Sequence, residues 1–107
     1  MSKIGHFSEH WSDDKGRPAG GVSSGRGFAI SWQNGPLGRG DTRREPNGAF
    51  VEDVIEACRD RLRFYQQSEF GCDENQEAIE HIEQAMEALE LRTKRRIAQN
   101  VEGTHAP

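Results

Sequence analysis

The segment Ala78-Ile79-Glu80-His81-Ile82-Glu83-Gln84-Ala85-Met86-Glu87-Ala88-Leu89 decides the fold. Its residues Ala78, Ile79, Ile82, Ala85, Met86 and Leu89 recur at three- and four-residue steps, the repeat of one helix face, with charged and amide side chains between them. No proline interrupts the run from Asp73 to Asn100, so the spacing predicts a helix over about 73–100. Upstream, Val51, Val54, Ile55, Cys58, Leu62 and Tyr65 keep the same steps and predict a first helix over about 48–67. Asn47 suits its N-cap, with Glu52 and Asp53 early in the helix. Only Ser68-Glu69-Phe70-Gly71 joins the two, with Gly71 suited to a positive φ. A connection this short makes the helices antiparallel neighbours.

Toward the N-terminus, Phe28-Ala29-Ile30-Ser31-Trp32 alternates, placing Phe28, Ile30 and Trp32 on one face of a strand. Asn34-Gly35-Pro36 then turns the chain, and residues 37–46 carry a weak pattern for a short return strand. Residues 1–27 are rich in glycine, serine and charge, and read as a flexible or extended arm docked on something else. The expected class is α+β: a short N-terminal antiparallel β element followed by a long antiparallel helical hairpin. Residues 28–107 form the folded domain in this reading.

The 107 residues suffice for one domain, but only 33% are hydrophobic, so a single copy has little apolar surface to bury and a homo-oligomer is expected. A net charge of -4 opposes wrapping a nucleic-acid polymer, which needs a basic face, while leaving room for a small anion held by local arginines. No apolar run is long enough for a membrane span or signal-peptide core, which points to the cytoplasm. Cys58 and Cys72 are then expected as free, buried thiols.

The second helix carries the functional signal. Extended by sevens, its apolar stripe reaches Asn75 and Arg96 from Ile82 and Leu89, and Arg92 from Ala78 and Ala85. Tyr65 continues the Val51–Cys58 row of the first helix. A polar group on a packing face needs a partner, since desolvation without one costs on the order of 1–3 kcal/mol. Arg92 and Arg96, four apart, can turn two guanidinium forks toward one phosphate or pyrophosphate. Asn75 can read a base or ribose edge, and Tyr65 offers a ring for stacking. The competing assignment is structural: cations near a helix C-terminus oppose the macrodipole and pair with Glu87 and Glu90. Asn75 and Arg96 stand roughly 30 Å apart at 1.5 Å per residue, so a single pocket using both ends requires more than one protomer.

Arg39, Arg43 and Arg44, set among glycines, could form a phosphate-binding loop, although a solvated basic loop fits the same pattern. His6 and His10 lack a third metal ligand in register, and Ser23 and Ser24 have no base placed with them. No catalytic residue, metal site or cofactor is expected.

Several spaced motifs carry a family resemblance: Trp32-Gln33-Asn34-Gly35-Pro36, Asn47-Gly48 with Glu52-Asp53-Val54-Ile55, Asp60-Arg61-Leu62 leading to Tyr65-Gln66, Cys72-Asp73-Glu74-Asn75, Arg92-Thr93 with Arg96, and Val101-Glu102-Gly103-Thr104. Over roughly residues 28–105 the chain resembles the phage hairpin-domain family of Thoeris anti-defence and anti-CBASS nucleotide sponges. The resemblance implies a short β element, a helical hairpin and assembly as dimers or hexamers. It implies sequestration, without cleavage, of glycocyclic ADP-ribose molecules or of cyclic di- and trinucleotides. On that basis Tyr65, Asn75, Arg92 and Arg96 would form the ADP-ribose-type pocket. Tyr65 stands where the family pattern has phenylalanine, and keeps a stacking face. Asp73 stands where relatives often have arginine, which disfavours the cyclic oligonucleotide. A third reading is a protein-interaction module, docking through Phe50 and its neighbours with no small ligand.

Overall fold

The computed structural model describes residues 5–106, which divide into two compact units. One runs to Phe50 and includes the segment from Val101 onward; the other is Val51–Asn100.

In the first unit three strands, β1 (Phe7–Ser12), β2 (Pro18–Gly25) and β3 (Phe28–Trp32), pair antiparallel in the order β1-β2-β3. The stretch expected as an arm is therefore extended and paired, with Phe7 opposite Ser24 and Glu9 opposite Val22. It supplies two of three strands, and the boundary expected after residue 27 falls inside the β2–β3 hairpin, where Gly25 faces Phe28. The physical cause is local. The Asp13 carboxylate accepts the N–H groups of Lys15 and Arg17, each at 2.9 Å, and the Nε of Arg17 at 2.9 Å, while the Asp13 N–H donates to the Arg17 carbonyl at 2.8 Å. Polar residues here close a turn. The Arg17 amide above all, against an opposing desolvation and with help from the Lys15 amide and the Arg17 guanidinium, holds the Asp13 carboxyl below its ordinary range. Ser23, 8% exposed, bonds to the Ser8 hydroxyl at 2.8 Å and accepts the Trp32 indole N–H at 2.9 Å, so one hydroxyl links all three strands.

Residues 37–46 form no return strand; they hold one 3-10 turn, Gly40–Thr42. A single parallel bridge forms later, at Ala49, which donates to the Ser31 carbonyl at 2.8 Å and accepts the Gln33 N–H at 3.0 Å. Asn47 is not a helix cap. Its Oδ1 accepts the Asn34 N–H at 2.8 Å and its Nδ2 donates to the Asn34 carbonyl at 3.0 Å, so the side chain clips two loop segments together. Committed there, it leaves the first helix to begin at Val51. Past residue 100 the backbone returns to this unit: the Gly38 N–H donates to the Gly103 carbonyl at 2.9 Å. Gly103 has φ +82°, and a Cβ there would collide with the Gly38 carbonyl, so only glycine fits.

The second unit is the helical hairpin, α1 (Val51–Gln66) and α2 (Asp73–Ala98). Acidic residues open both helices, Arg95 and Arg96 close α2, and Asn100 at φ 58° ends it in the left-handed conformation. Gly71 is not at positive φ; its role is close approach, since a Cβ would stand 2.8 Å from the Gln66 carbonyl oxygen. Gln66 also accepts the Cys72 N–H through Oε1 at 2.8 Å, tying the connection to the end of α1.

The inward face of α1 centres on Ile55, Arg59, Leu62 and Gln66, while Val51, Cys58 and Tyr65 are exposed. The residues of the 51–58–65 row are separated by about 20° per seven positions, and the row runs along the edge of the packed face. Cys58 and Cys72 are consequently free but exposed, contrary to the buried thiols expected. On α2 the half-buried and buried positions are Asn75, Ala78, Ile79, Ile82, Glu83, Met86, Leu89, Thr93 and Arg96. Glu83 joins the helices, 2.6 Å from the Arg63 guanidinium and 3.7 Å from that of Arg59. Among the described residues Ile79, 4% exposed, is the only large apolar side chain that is buried, whereas Phe64, Phe70, Leu91 and Ile97 are more than half exposed.

Candidate functional site

All four residues of the expected pocket lie on the hairpin, at two separate places. Tyr65 is in the last turn of α1 and Asn75 in the first turn of α2, so both flank the connection. The Asn75 amide donates to the Phe70 carbonyl at 3.3 Å, leaving its Oδ1 as an acceptor at a half-buried position. Tyr65 is 37% exposed, which leaves ring surface for stacking. Arg92 and Arg96 stand in the last two turns of α2, and the intervening single helix puts them roughly 25–30 Å from Asn75.

The two arginines differ. Arg96 is 8% exposed and engaged with other groups, whereas Arg92 is exposed. Helix geometry explains the contrast. Each seven-residue step falls about 20° short of two full turns. The row Asn75, Ile82, Leu89, Arg96 drifts but stays within the packed face. The row Ala78, Ala85, Arg92 starts at its edge and drifts out, so that Ala85 and Arg92 are both exposed. The packing-face expectation therefore holds for Asn75 and Arg96 and fails for Arg92. Arg92 is left solvent-facing one turn from a buried cation.

The basic loop is bonded internally. Arg43 grips Glu102 with two bonds, 2.8 and 3.1 Å, and Arg39 donates to the Glu102 carbonyl at 2.8 Å. Arg44 donates to the Pro36 carbonyl at 2.6 Å. Glu102, hydrogen-bonded to it, raises the Arg43 guanidinium further above its ordinary value. Arg39 and Arg43 anchor the returning segment while Arg44 braces the loop itself, and a phosphate would have to displace Glu102 to reach Arg43.

Two features went unread in the sequence. Arg61, four residues before Tyr65, donates from Nε to the Tyr65 hydroxyl at 3.2 Å, and its guanidinium carbon lies 5.0 Å from the ring centroids of both Phe64 and Tyr65. The i,i+4 spacing is the signal that could have found it. The second is an open cleft of about 260 Å³ lined by Arg63, Gln66, Gln67, Gln76, Ile79 and Glu83, near the connection end of the hairpin. Among the described residues no three His, Cys, Asp or Glu side chains gather as a metal set, and no helix is long and apolar enough to cross a membrane.

A small antiparallel sheet followed by a long, thinly packed hairpin, with an aromatic and an amide at one end and arginines at the other, defines an α+β hairpin-domain protein. Residues 26–94, more than half of the chain, match the model of the Acb2/Tad1 hairpin domain, and the chain belongs to that family. It is also 39% identical over 82 residues to Thoeris anti-defense 1 of Bacillus phage SBSphiJ7, an alignment covering 77% of this chain and 55% of that protein. The chain thus spans about half the length of the curated relative it matches. The family match includes Tyr65, Asn75 and Arg92, and stops just short of Arg96.

Proposed function

We propose that this protein is a phage anti-defence factor that sequesters a host immune signalling nucleotide of the glycocyclic ADP-ribose type without cleaving it. The observation that carries the reading is the division of one hairpin into a stacking-and-amide end, Tyr65 with Asn75, and a guanidinium end, Arg92 with Arg96. An ADP-ribose-type ligand needs both chemistries: a flat face and edge reader for its base, and cations for its pyrophosphate. Membership of the Acb2/Tad1 family and the similarity to Thoeris anti-defense 1 support an anti-defence role.

Because the two ends of one hairpin lie too far apart for a single nucleotide, the pocket combines one protomer's Tyr65 and Asn75 with another's Arg92 and Arg96. Two hairpins packed antiparallel satisfy this, forming a dimer or a hexamer built from dimers. The thin core and exposed Phe64, Phe70, Leu91 and Ile97 favour such an assembly. Sequestration requires affinity and abundance, not turnover, and the protein would act in the cytoplasm of the infected cell. Asp73, which opens α2, disfavours a cyclic oligonucleotide at the connection end by repelling its phosphodiesters.

The test is capture and release. Purified protein is incubated with nucleotide extract from defence-activated cells, washed free of unbound nucleotide and heat-denatured. Intact cyclic ADP-ribose-type nucleotide should be released by wild type and not by Arg92→Ala, whose exposed side chain can be removed without disturbing the packed face. Altered nucleotide would make the protein an enzyme, and release of nothing would leave exposed Phe64 and Phe70 as the basis of a protein-docking module. Undiminished capture by Arg92→Ala and by Arg96→Ala would overturn the site.

A further inference from the structure

We infer that Arg61 is a positioning residue for the stacking ring, holding Tyr65 by its hydroxyl and setting how a bound base lies against it. The inference rests on the sponge reading above and deepens it. Arg61 sits one turn before Tyr65 on α1, donates from Nε to the phenol oxygen at 3.2 Å, and places its guanidinium carbon 5.0 Å from the centroid of the Tyr65 ring. The same guanidinium lies 5.0 Å from the Phe64 ring, whose centroid is 6.2 Å from that of Tyr65 at an interplanar angle of 55°. One planar cation thus bridges two aromatic rings.

Among the described residues Arg61 makes no ion pair with a carboxylate, in contrast to its helix neighbours Arg59 and Arg63, both of which bridge to Glu83. Its binding capacity goes instead to the aromatic pair. A tyrosine that is 37% exposed at the end of a helix would otherwise sample several rotamers. A donor to the hydroxyl together with a cation at the ring confines it, and the entropy of ordering the ring is then lost before the ligand arrives. Only tyrosine offers the oxygen through which Arg61 works; phenylalanine at this position would keep the stacking face and lose the hold. Arg61 also leaves a permanent positive charge beside the stacked base, which favours an anionic ligand.

The chain has a single tyrosine, so carbon-13-labelled tyrosine reports on Tyr65 alone. In unliganded protein, Arg61→Ala should move and narrow the ring resonances while helix content by circular dichroism is unchanged. With cyclic ADP-ribose as the probe, calorimetry should show Arg61→Ala binding about tenfold more weakly than wild type. The same substitution made on a Tyr65→Phe background should cost clearly less, the non-additivity expected of two groups acting through one contact. Arg61→Lys should fall between, keeping the charge without the planar fork. Unchanged tyrosine resonances in unliganded Arg61→Ala would overturn the inference, as would equal cost on both backgrounds. If wild-type protein fails to bind the nucleotide and its Tyr65 signal does not respond to it, the sponge reading fails first, and Arg61's role in binding falls with it.

Discussion

If each pocket draws its two halves from different chains, two binding-dead variants should rescue one another when mixed. One variant carries Tyr65→Ala and Asn75→Ala, removing the stacking end; the other carries Arg92→Ala, removing a guanidinium from the far end. Loss of base stacking costs about 1–3 kcal/mol, and loss of a charge-assisted hydrogen bond about 1.5–3 kcal/mol. Each parent should therefore bind cyclic ADP-ribose at least about tenfold more weakly than wild type. Asn75 and Arg92 are fixed on a single continuous helix, α2, so no chain can bend its own two ends into one pocket. In an antiparallel pair of one chain of each kind, one pocket combines the intact aromatic end of the second variant with the intact arginine end of the first, and the other pocket is doubly broken. Random pairing of equal amounts makes about half the dimers mixed, and half of their pockets intact, so about a quarter of wild-type sites should return at wild-type affinity. The assay is calorimetry on the co-refolded mixture, at protein concentrations where neither parent gives heat, with the stoichiometry as the readout. Wild-type protein sets the full site count. Recovery of no sites from a mixture shown by mass spectrometry to contain mixed oligomers would refute the shared pocket.

Two further outcomes are expected. Glu83→Gln should lower the urea midpoint, a loss of about 1 kcal/mol, with an unchanged slope, because it removes a carboxylate that bridges Arg59 and Arg63 to α2; an unchanged midpoint would show that bridge to be inert. Asp13, whose carboxyl is held below its ordinary range chiefly by the Arg17 amide, should stabilise the β1–β2 turn fully above about pH 4, the value of an unfolded carboxylate, and lose that contribution as the pH falls through its lower folded value. The amide resonances of Lys15 and Arg17 should move together in that acid range, and their constancy down to pH 2 would contradict the assignment.

The hairpin was legible because helix periodicity is a dense signal: apolar residues every three or four positions from Val51 to Tyr65, and again from Ala78 to Leu89, admit one reading. Of the sheet only β3 was legible, through the Phe28-Ala29-Ile30-Ser31-Trp32 alternation; β1 and β2 carry almost no such signal. β1 is Phe-Ser-Glu-His-Trp-Ser with every residue exposed, and β2 is Pro-Ala-Gly-Gly-Val-Ser-Ser-Gly. Hydrogen bonds hold these strands where apolar burial is absent, through the Ser8–Ser23–Trp32 hydroxyl and indole chain and the Asp13 turn. Composition classes such residues with disorder, and only their pairing partners reveal order. Asn47 failed as a cap for a related reason: its side chain satisfies both groups of Asn34, thirteen positions away, and long-range partners of a short polar side chain leave no trace in local sequence.

The four candidate residues stand out in the sequence because they fall on the heptad extensions of apolar rows, and helix geometry limits how far such rows hold. A strict seven-residue ladder treats α-helices as if 3.6 residues per turn divided seven evenly, and over two or three steps the accumulated rotation of about 20° each carries a row off the packed face. Asn75 and Arg96 survive because their row crosses the centre of the face; Arg92 and Tyr65 do not because theirs run at its edge. Under the proposed function that displacement would help binding. A ligand shared between two hairpins must meet side chains that one hairpin leaves uncovered. Under the proposed sequestration, Arg92 and Tyr65, exposed on one hairpin, would be the groups that a second chain and its nucleotide reach first, with Arg96, 8% exposed, one turn beyond Arg92.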